Sequence, residues 1–345
     1  MFVFEEARTE NVVSRLLHSD EPAIRYRILV NLLGTNPDSK EAQIVREKIR
    51  HSARVGLLLS ERKSDGKIPF HPYSKWYGAH WILSLLADLN YPPGDKSLIP
   101  LRDQVYDWLF SQEHLQQTKY HHIYSGSLKM IRDRARIHAS MEGNALYSIM
   151  KLGLFDERTD ELADRLLQTQ WSDGGWNCDK TPSASHSSFT ESLVPLRGLV
   201  YHSKMLRRPR SASGARRAAE FFLERHLYRR LHDDRVIRED FLNLHYPPYW
   251  HYDILFGLRV IGESGLIRDS RCHDALELLK SKRLRDGGFP AERKYYSTTK
   301  GIKTGRSLVD WGVVSNLHMN EFVTADAFHV LKQADTSVEY ETILE

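Results

Sequence analysis

Gln168-Thr169-Gln170-Trp171-Ser172-Asp173-Gly174-Gly175-Trp176 is the stretch on which the reading of the fold turns. An amide and an aromatic residue end one segment, Asp-Gly-Gly supplies a tight turn that needs positive φ, and a second aromatic opens the next segment. Related turns stand on either side, at Ser64-Asp65-Gly66-Lys67 and Arg285-Asp286-Gly287-Gly288-Phe289, with Asp65, Asp173 and Asp286 separated by 108 and 113 residues. A second motif interleaves with the first. Phe110-Ser111-Gln112-Glu113-His114-Leu115 matches Phe222-Leu223-Glu224-Arg225-His226-Leu227 at an offset of 112. Two motifs alternating on a period of about 110 residues imply a unit of about 55, the length of a helical hairpin with its loops.

Working outward from these turns, apolar residues recur at helical spacing. Trp81, Leu85 and Leu89, then Leu146, Ile149, Met150 and Leu152, then Leu255, Leu258 and Ile261 each form such a series. Gly153 and Gly265 follow two of these runs as helix stops. Strand-like alternation is scarce, so the expected class is all-α. Segments 158–170 and 271–282 are amphipathic and 189–201 is more apolar, which predicts outer helices covering an inner layer. About six hairpins fit the length, and closing them on themselves gives an α/α toroid. Residues 1–54 read as N-terminal capping helices of the same fold, with Asp20 as N-cap and Pro22 in the first turn, and residues 55–345 as the toroid proper.

Composition sets wide bounds. The 345 residues carry 49 basic and 45 acidic side chains, a net charge of +4, which is too mild to point to nucleic acid. Cys178 and Cys272 lie far apart with no Cys-x-x-Cys spacing, so no disulfide framework is expected and a reducing cytoplasm fits best. Residues 1–10 are acidic where an export signal would be basic, and no apolar run reaches about 18 residues, so a transmembrane segment is not expected. Peripheral membrane contact stays compatible with the sequence.

The stretch 168–176 resembles the QW repeat of squalene and oxidosqualene cyclases, and Asp286-Gly287-Gly288-Phe289 resembles the shorter version in protein prenyltransferase β subunits. The resemblance extends over about residues 55–335 and implies the toroid fold. It also implies an isoprenoid or similarly apolar substrate in a central cavity, handled by acid-initiated cyclisation or prenyl transfer. Two departures stand out: no Asp-x-Asp-Asp proton-donor tetrad occurs, and the chain is about half the length of a two-barrel cyclase. The prenyltransferase comparison implies a zinc held by Asp, Cys and His, for which Cys178, Asp179 and His251 are the nearest match, although the Asp–Cys spacing differs. No cofactor is assigned beyond this, with zinc or magnesium the ions to test.

In a toroid, polar residues at the first turns of the inner helices face one mouth. Tyr246-Pro247-Pro248-Tyr249-Trp250-His251-Tyr252-Asp253 enters such a helix and sets Tyr249, Trp250 and Tyr252 beside His251 and Asp253. Aromatic faces stabilise cations, and a desolvated carboxyl becomes a proton donor. Corresponding positions carry Trp76, Tyr77, His80 and Trp81, then His138 and Glu142, then His186 and Glu191, then Asn320 and Glu321. Asp253, His251, Glu142 and Glu191 are the expected catalytic groups, and the others are expected to bind substrate. Each acid within an apolar helix also has a plain structural use in a salt bridge. Lys129, Arg132, Arg134 and Arg136 form a basic run suited to phosphate. A second run from Arg207 to Arg217 reads as a solvated connection, and residues 295–316 as a lid or a surface loop. Two other classes compete with the enzyme: a non-catalytic ring that binds a ligand or protein, and a carbohydrate-active α/α barrel with a polar groove.

Overall fold

A computed structural model describes residues 2–118, 134–181 and 183–335. Among them the chain is mostly helical, as the periodicity predicts. In order come α1 (Phe2–Leu17), α2 (Pro22–Arg27), α3 (Lys40–Arg50), α4 (Ala53–Leu59), α5 (Ala79–Asp88), α6 (Ile99–Leu109) and α7 (Gln112–Thr118). Then follow α8 (Ala139–Lys151), α9 (Glu157–Thr169), α10 (Phe189–Leu206), α11 (Pro209–Leu223), α12 (Ile254–Glu263), α13 (His273–Ser281) and α14 (Glu321–Ala334). The one sheet among the described residues pairs β1 (Ser297–Thr298) with β2 (Arg306–Ser307) in parallel.

Two series of helices alternate along the chain. In α5, α8, α10, α12 and most of α14 nearly every residue is buried, whereas α3, α9, α11 and α13 bury one stripe and expose the other. The wholly buried helices pack in succession, α5 on α8, α8 on α10, α10 on α12 and α12 on α14, and α14 packs on α2. Contact between α8 and α10 is close enough that a Cβ on Gly143 would lie 2.4 Å from the Pro195 nitrogen. Only glycine fits there.

The repeated turns are built alike. Trp171 N donates to Gly175 O and Leu284 N to Gly288 O, each at 2.9 Å, and Lys63 N donates to Lys67 O at the same distance. Gly174 and Gly287 both take φ of +93°, as the Asp-Gly-Gly reading requires. The Gln170 amide donates to Gly174 O at 2.7 Å and to Gly214 O at 2.8 Å, tying the end of α9 to its neighbour α11. Trp176 is fully buried, with its indole N–H on Leu166 O at 2.9 Å.

Several expectations need correction in detail. Glu21 rather than Asp20 caps α2, accepting from Ala23 N at 3.2 Å, while Pro22 holds the first position as expected. The basic run from Arg207 to Arg217 is mostly helical: Arg207 caps the end of α10, Arg208 caps the start of α11 and pairs with Asp160, and Arg210, Arg216 and Arg217 lie within α11, with Arg210 on Asp164. Its small residues let α11 lie close to α10. Residues 295–316 are strapped down: Gly305 N donates to Lys75 O at 2.7 Å, Trp76 N to Arg306 O at 3.0 Å, and buried Arg306 pairs with Glu61 at 2.9 Å.

The ends of the buried helices meet in an ion network. Arg27 of α2 reaches Asp88 of α5 at 3.0 Å and Asp326 of α14 at 2.8 Å, and Arg259 of α12 also bonds both carboxylates. Arg197 of α10 grips Glu263 of α12 at 2.7 Å and lies 3.7 Å over the ring of Tyr147 from α8. Three guanidinium groups face three carboxylates, and Lys151 adds a further positive charge near Glu263. Burial alone would raise the Asp88 carboxyl, but Arg259, Arg27 and Arg197 outweigh it and hold it well below the usual carboxylate range.

Removing one member leaves a buried charge unmatched. Asp88→Ala is therefore expected to cost about 3–5 kcal/mol in denaturant unfolding, while Asp164→Ala at the exposed Arg210 pair costs under about 1 kcal/mol. Because the folded Asp88 carboxyl sits below its unfolded value of about 3.9, its contribution is complete above about pH 5 and fades as acid protonates it. Asp88→Asn should flatten the acid limb of the stability curve, and an unchanged limb would exclude this role.

Candidate functional site

The Asp-Gly-Gly-Trp turn does more than join two helices. Asp173 accepts from the Ser187 hydroxyl at 2.6 Å and its backbone N–H at 2.8 Å, and Ser188 N donates to Trp176 O at 2.8 Å. Asn177 receives Ile137 N on its carbonyl at 3.2 Å, and its side-chain amide donates to His186 O at 2.8 Å. The turn is thus stitched to the segments entering α8 and α10. Cys178, the next residue, comes to lie between the first turns of those helices.

There the Cys178 thiol lies close to the Glu191 carboxylate. The same carboxylate lies 3.3 Å from His138 Nδ1 and accepts from Ser140 N at 2.9 Å. One ligand atom from each of His138, Cys178 and Glu191 falls within 4.8 Å of the others, the one such group of three found among the described residues. Glu191 is buried, Cys178 half-buried and His138 exposed. Burial and the neighbouring Glu191 push the Cys178 thiol up to about 12. Tyr73 is raised too, by burial and then by Glu191 and Cys178. A cavity of about 330 Å³ adjoins, with Tyr73, Trp108, His138 and Met141 in its wall together with the charged Glu113 and Lys180.

The other expected catalytic groups are spent on the fold. Asp253 caps α12, accepting from Phe256 N at 2.7 Å, and it also binds His245 through the backbone N–H at 2.9 Å and through Nδ1 at 2.6 Å. Burial disfavours the His245 imidazolium, yet the Asp253 carboxylate outweighs it and raises the ring above its ordinary value. Glu142 is fully buried in a salt bridge with Arg165. His251 is a flat plate between Trp250 and Tyr295, at ring separations of 4.1 and 3.7 Å. Burial, then His245, Lys75 and Arg238, push it down to about 3, so it stays neutral and is no acid at ordinary pH.

The expected binding residues divide in the same way. Trp76 stacks on Tyr249 at 3.9 Å and Trp81 meets Trp76 edge-on at 4.6 Å, a buried cluster. Tyr77 packs on Phe70, the Tyr252 hydroxyl donates to Leu227 O at 2.5 Å, and Lys75 sits over Trp250. His80, pushed down to about 3 by burial and then by His114, is neutral and lies 3.0 Å from the Asn144 amide. Asn320 caps α14, and Glu321 accepts from the Ser19 hydroxyl at 2.7 Å.

His186 lines a different cleft, of about 640 Å³, with Phe189, Ile237 and Phe241 as its apolar wall. Arg134 and Arg136 bond the carbonyls of Ser185 and Ala184 and stack on Trp171, so they brace the loop above the turn. Arg132, with Lys129, lies outside the described residues.

No metal was assigned from the sequence, and the nearest match to a zinc set was Cys178, Asp179 and His251. That set does not assemble, because the exposed Asp179 carboxylate is occupied with Thr181 N at 2.8 Å and His251 is stacked among rings of another segment. Cys178 instead meets His138 and Glu191, both heads of inner helices in the sequence reading. The signal missed was the register that carries a residue just after the turn between two helix starts. Tyr73 had no signal beyond its neighbourhood to Trp76. Comparison of the chain with family models, with curated proteins and with solved structures returns no match.

The proximity of thiol and carboxylate has a direct consequence. In chelator at pH 8, iodoacetamide should label Cys178 slowly, because little thiolate is present. Removing the negative charge with Glu191→Gln lowers the thiol pKa and should speed labelling several-fold, read by peptide mass spectrometry. An equal or slower rate would mean that Glu191 does not face the thiol in solution.

Proposed function

We propose that the buried helices close into an α/α ring and that its mouth at α8 and α10 carries the functional centre. Closure rests on α14 packing against α2 and on Arg27, which joins Asp326 at one end of the chain's helix series to Asp88 near the other. With the ion network filling the middle at one end of the helices, substrate is handled at the opposite mouth.

The reading for activity is a transferase or cyclase-like enzyme acting on an isoprenoid or equally apolar substrate. The observation that carries it is the grouping of His138, Cys178 and Glu191 beside a cavity with the aromatic side chains of Tyr73 and Trp108 in its wall. Aromatic faces accommodate an apolar chain and a developing cation. Prenyl transfer is favoured over acid-initiated cyclisation, since Asp253 and Glu142 are committed to ion pairs.

Those same commitments favour a second reading, a ring that binds an apolar ligand without turning it over. Farnesyl diphosphate and squalene, each incubated with the full chain, separate the two. Pyrophosphate release or a new product by mass spectrometry, abolished in Glu191→Gln, is expected for the enzyme. Thermal stabilisation with unchanged ligand is expected for the binding ring. Neither turnover nor stabilisation with both probes would reject the isoprenoid reading.

A further inference from the structure

From the grouping of one imidazole, one thiol and one carboxylate, we infer that His138, Cys178 and Glu191 form a zinc site with an open coordination position. The inference deepens the mouth-site reading and rests on it for any role in turnover, but metal binding itself needs no substrate. The donor set is the first argument. A thiolate selects zinc over magnesium or calcium, and imidazole with carboxylate completes a common three-ligand arrangement.

Geometry is the second argument. Zinc bonds of about 2.0–2.3 Å in a tetrahedron place ligand atoms about 3.3–3.8 Å apart. His138 Nδ1 and Glu191 Oε1 already stand at 3.3 Å, and the whole trio lies within 4.8 Å. Closing the set requires a movement of about 1 Å, within the reach of side-chain rotation.

The third argument is the support behind the ligands. Glu191 is oriented by the Ser140 N–H at 2.9 Å, and Cys178 is placed by the Asn177 bonds to both flanking segments. Such outer contacts fix ligand direction in metal sites. On coordination the thiol proton passes to solvent and the metal takes its place on the sulfur. The exposed side of His138 and the neighbouring cavity leave the fourth position to water or substrate, the arrangement of a catalytic rather than a closed structural zinc.

The test is direct. Full-length chain produced with added zinc, dialysed in metal-free buffer and measured by inductively coupled plasma mass spectrometry should hold about one zinc per chain. Cys178→Ser should lose it, and Cys272→Ser, which changes the other thiol, should keep it. Cobalt(II) in place of zinc should show a thiolate-to-cobalt charge-transfer band that Cys178→Ser abolishes. If Cys178→Ser fails to fold by circular dichroism, His138→Ala and Glu191→Gln serve instead, each expected to weaken metal affinity by about tenfold or more.

Wild-type chain without zinc, equal zinc in the ligand variants, or cobalt bound with no thiolate band would overturn the site. Zinc at Cys178 with no effect on farnesyl diphosphate or squalene would leave the metal site standing and reject the substrate reading. Turnover by a zinc-free chain would do the reverse.

Discussion

Three guanidinium groups and three carboxylates share one water-poor volume where the buried helices meet, and the arrangement of those helices depends on that balance. Arg27, Arg197 and Arg259 would each carry a prohibitive desolvation cost alone. Together with Asp88, Glu263 and Asp326 they satisfy one another across α2, α5, α10, α12 and α14, and Tyr147 brings in α8 through its ring face. A hydrophobic seam would permit neighbouring helices to slide. Charge pairing at fixed positions does not, so the network sets which helix faces which.

This choice has consequences at the other end. With polarity concentrated where α5 and α12 finish, the site of His138, Cys178 and Glu191 lies at the starts of α8 and α10. The Asp-Gly-Gly-Trp turn then places Cys178 between His138 and Glu191, because the turn's own side chains bond to the segments leading into α8 and α10. A motif that looks purely architectural in the sequence also positions the thiol that meets His138 and Glu191.

The helices and repeated turns were legible because their signals are local. Apolar spacing near 3.6 residues and glycines at positions of positive φ are visible in any single chain, and Gly174 and Gly287 share the same φ. Boundaries were less legible. The run from Arg207 to Arg217 reads as a polar connection, yet it is mostly helical because its basic face pairs with Asp160 and Asp164 on α9 while its small residues pack inward. The polar heads of the inner helices were also visible, and His138 and Glu191 were among them.

What each polar head does was not legible. Asp253, Glu142 and Glu191 look alike in the sequence, each an acid in an apolar setting. Asp253 meets His245 and a helix N-terminus, Glu142 meets Arg165, and Glu191 meets a histidine and a thiol. The sequence by itself determined the helical class, the period of the turns and the places where polar groups enter buried helices, since those follow from backbone preference and hydrophobic spacing. Only the tertiary structure decided which carboxylates are consumed by cations and which one remains beside a thiol, because an ionisable group takes its chemistry from whatever lies within a few ångströms of it.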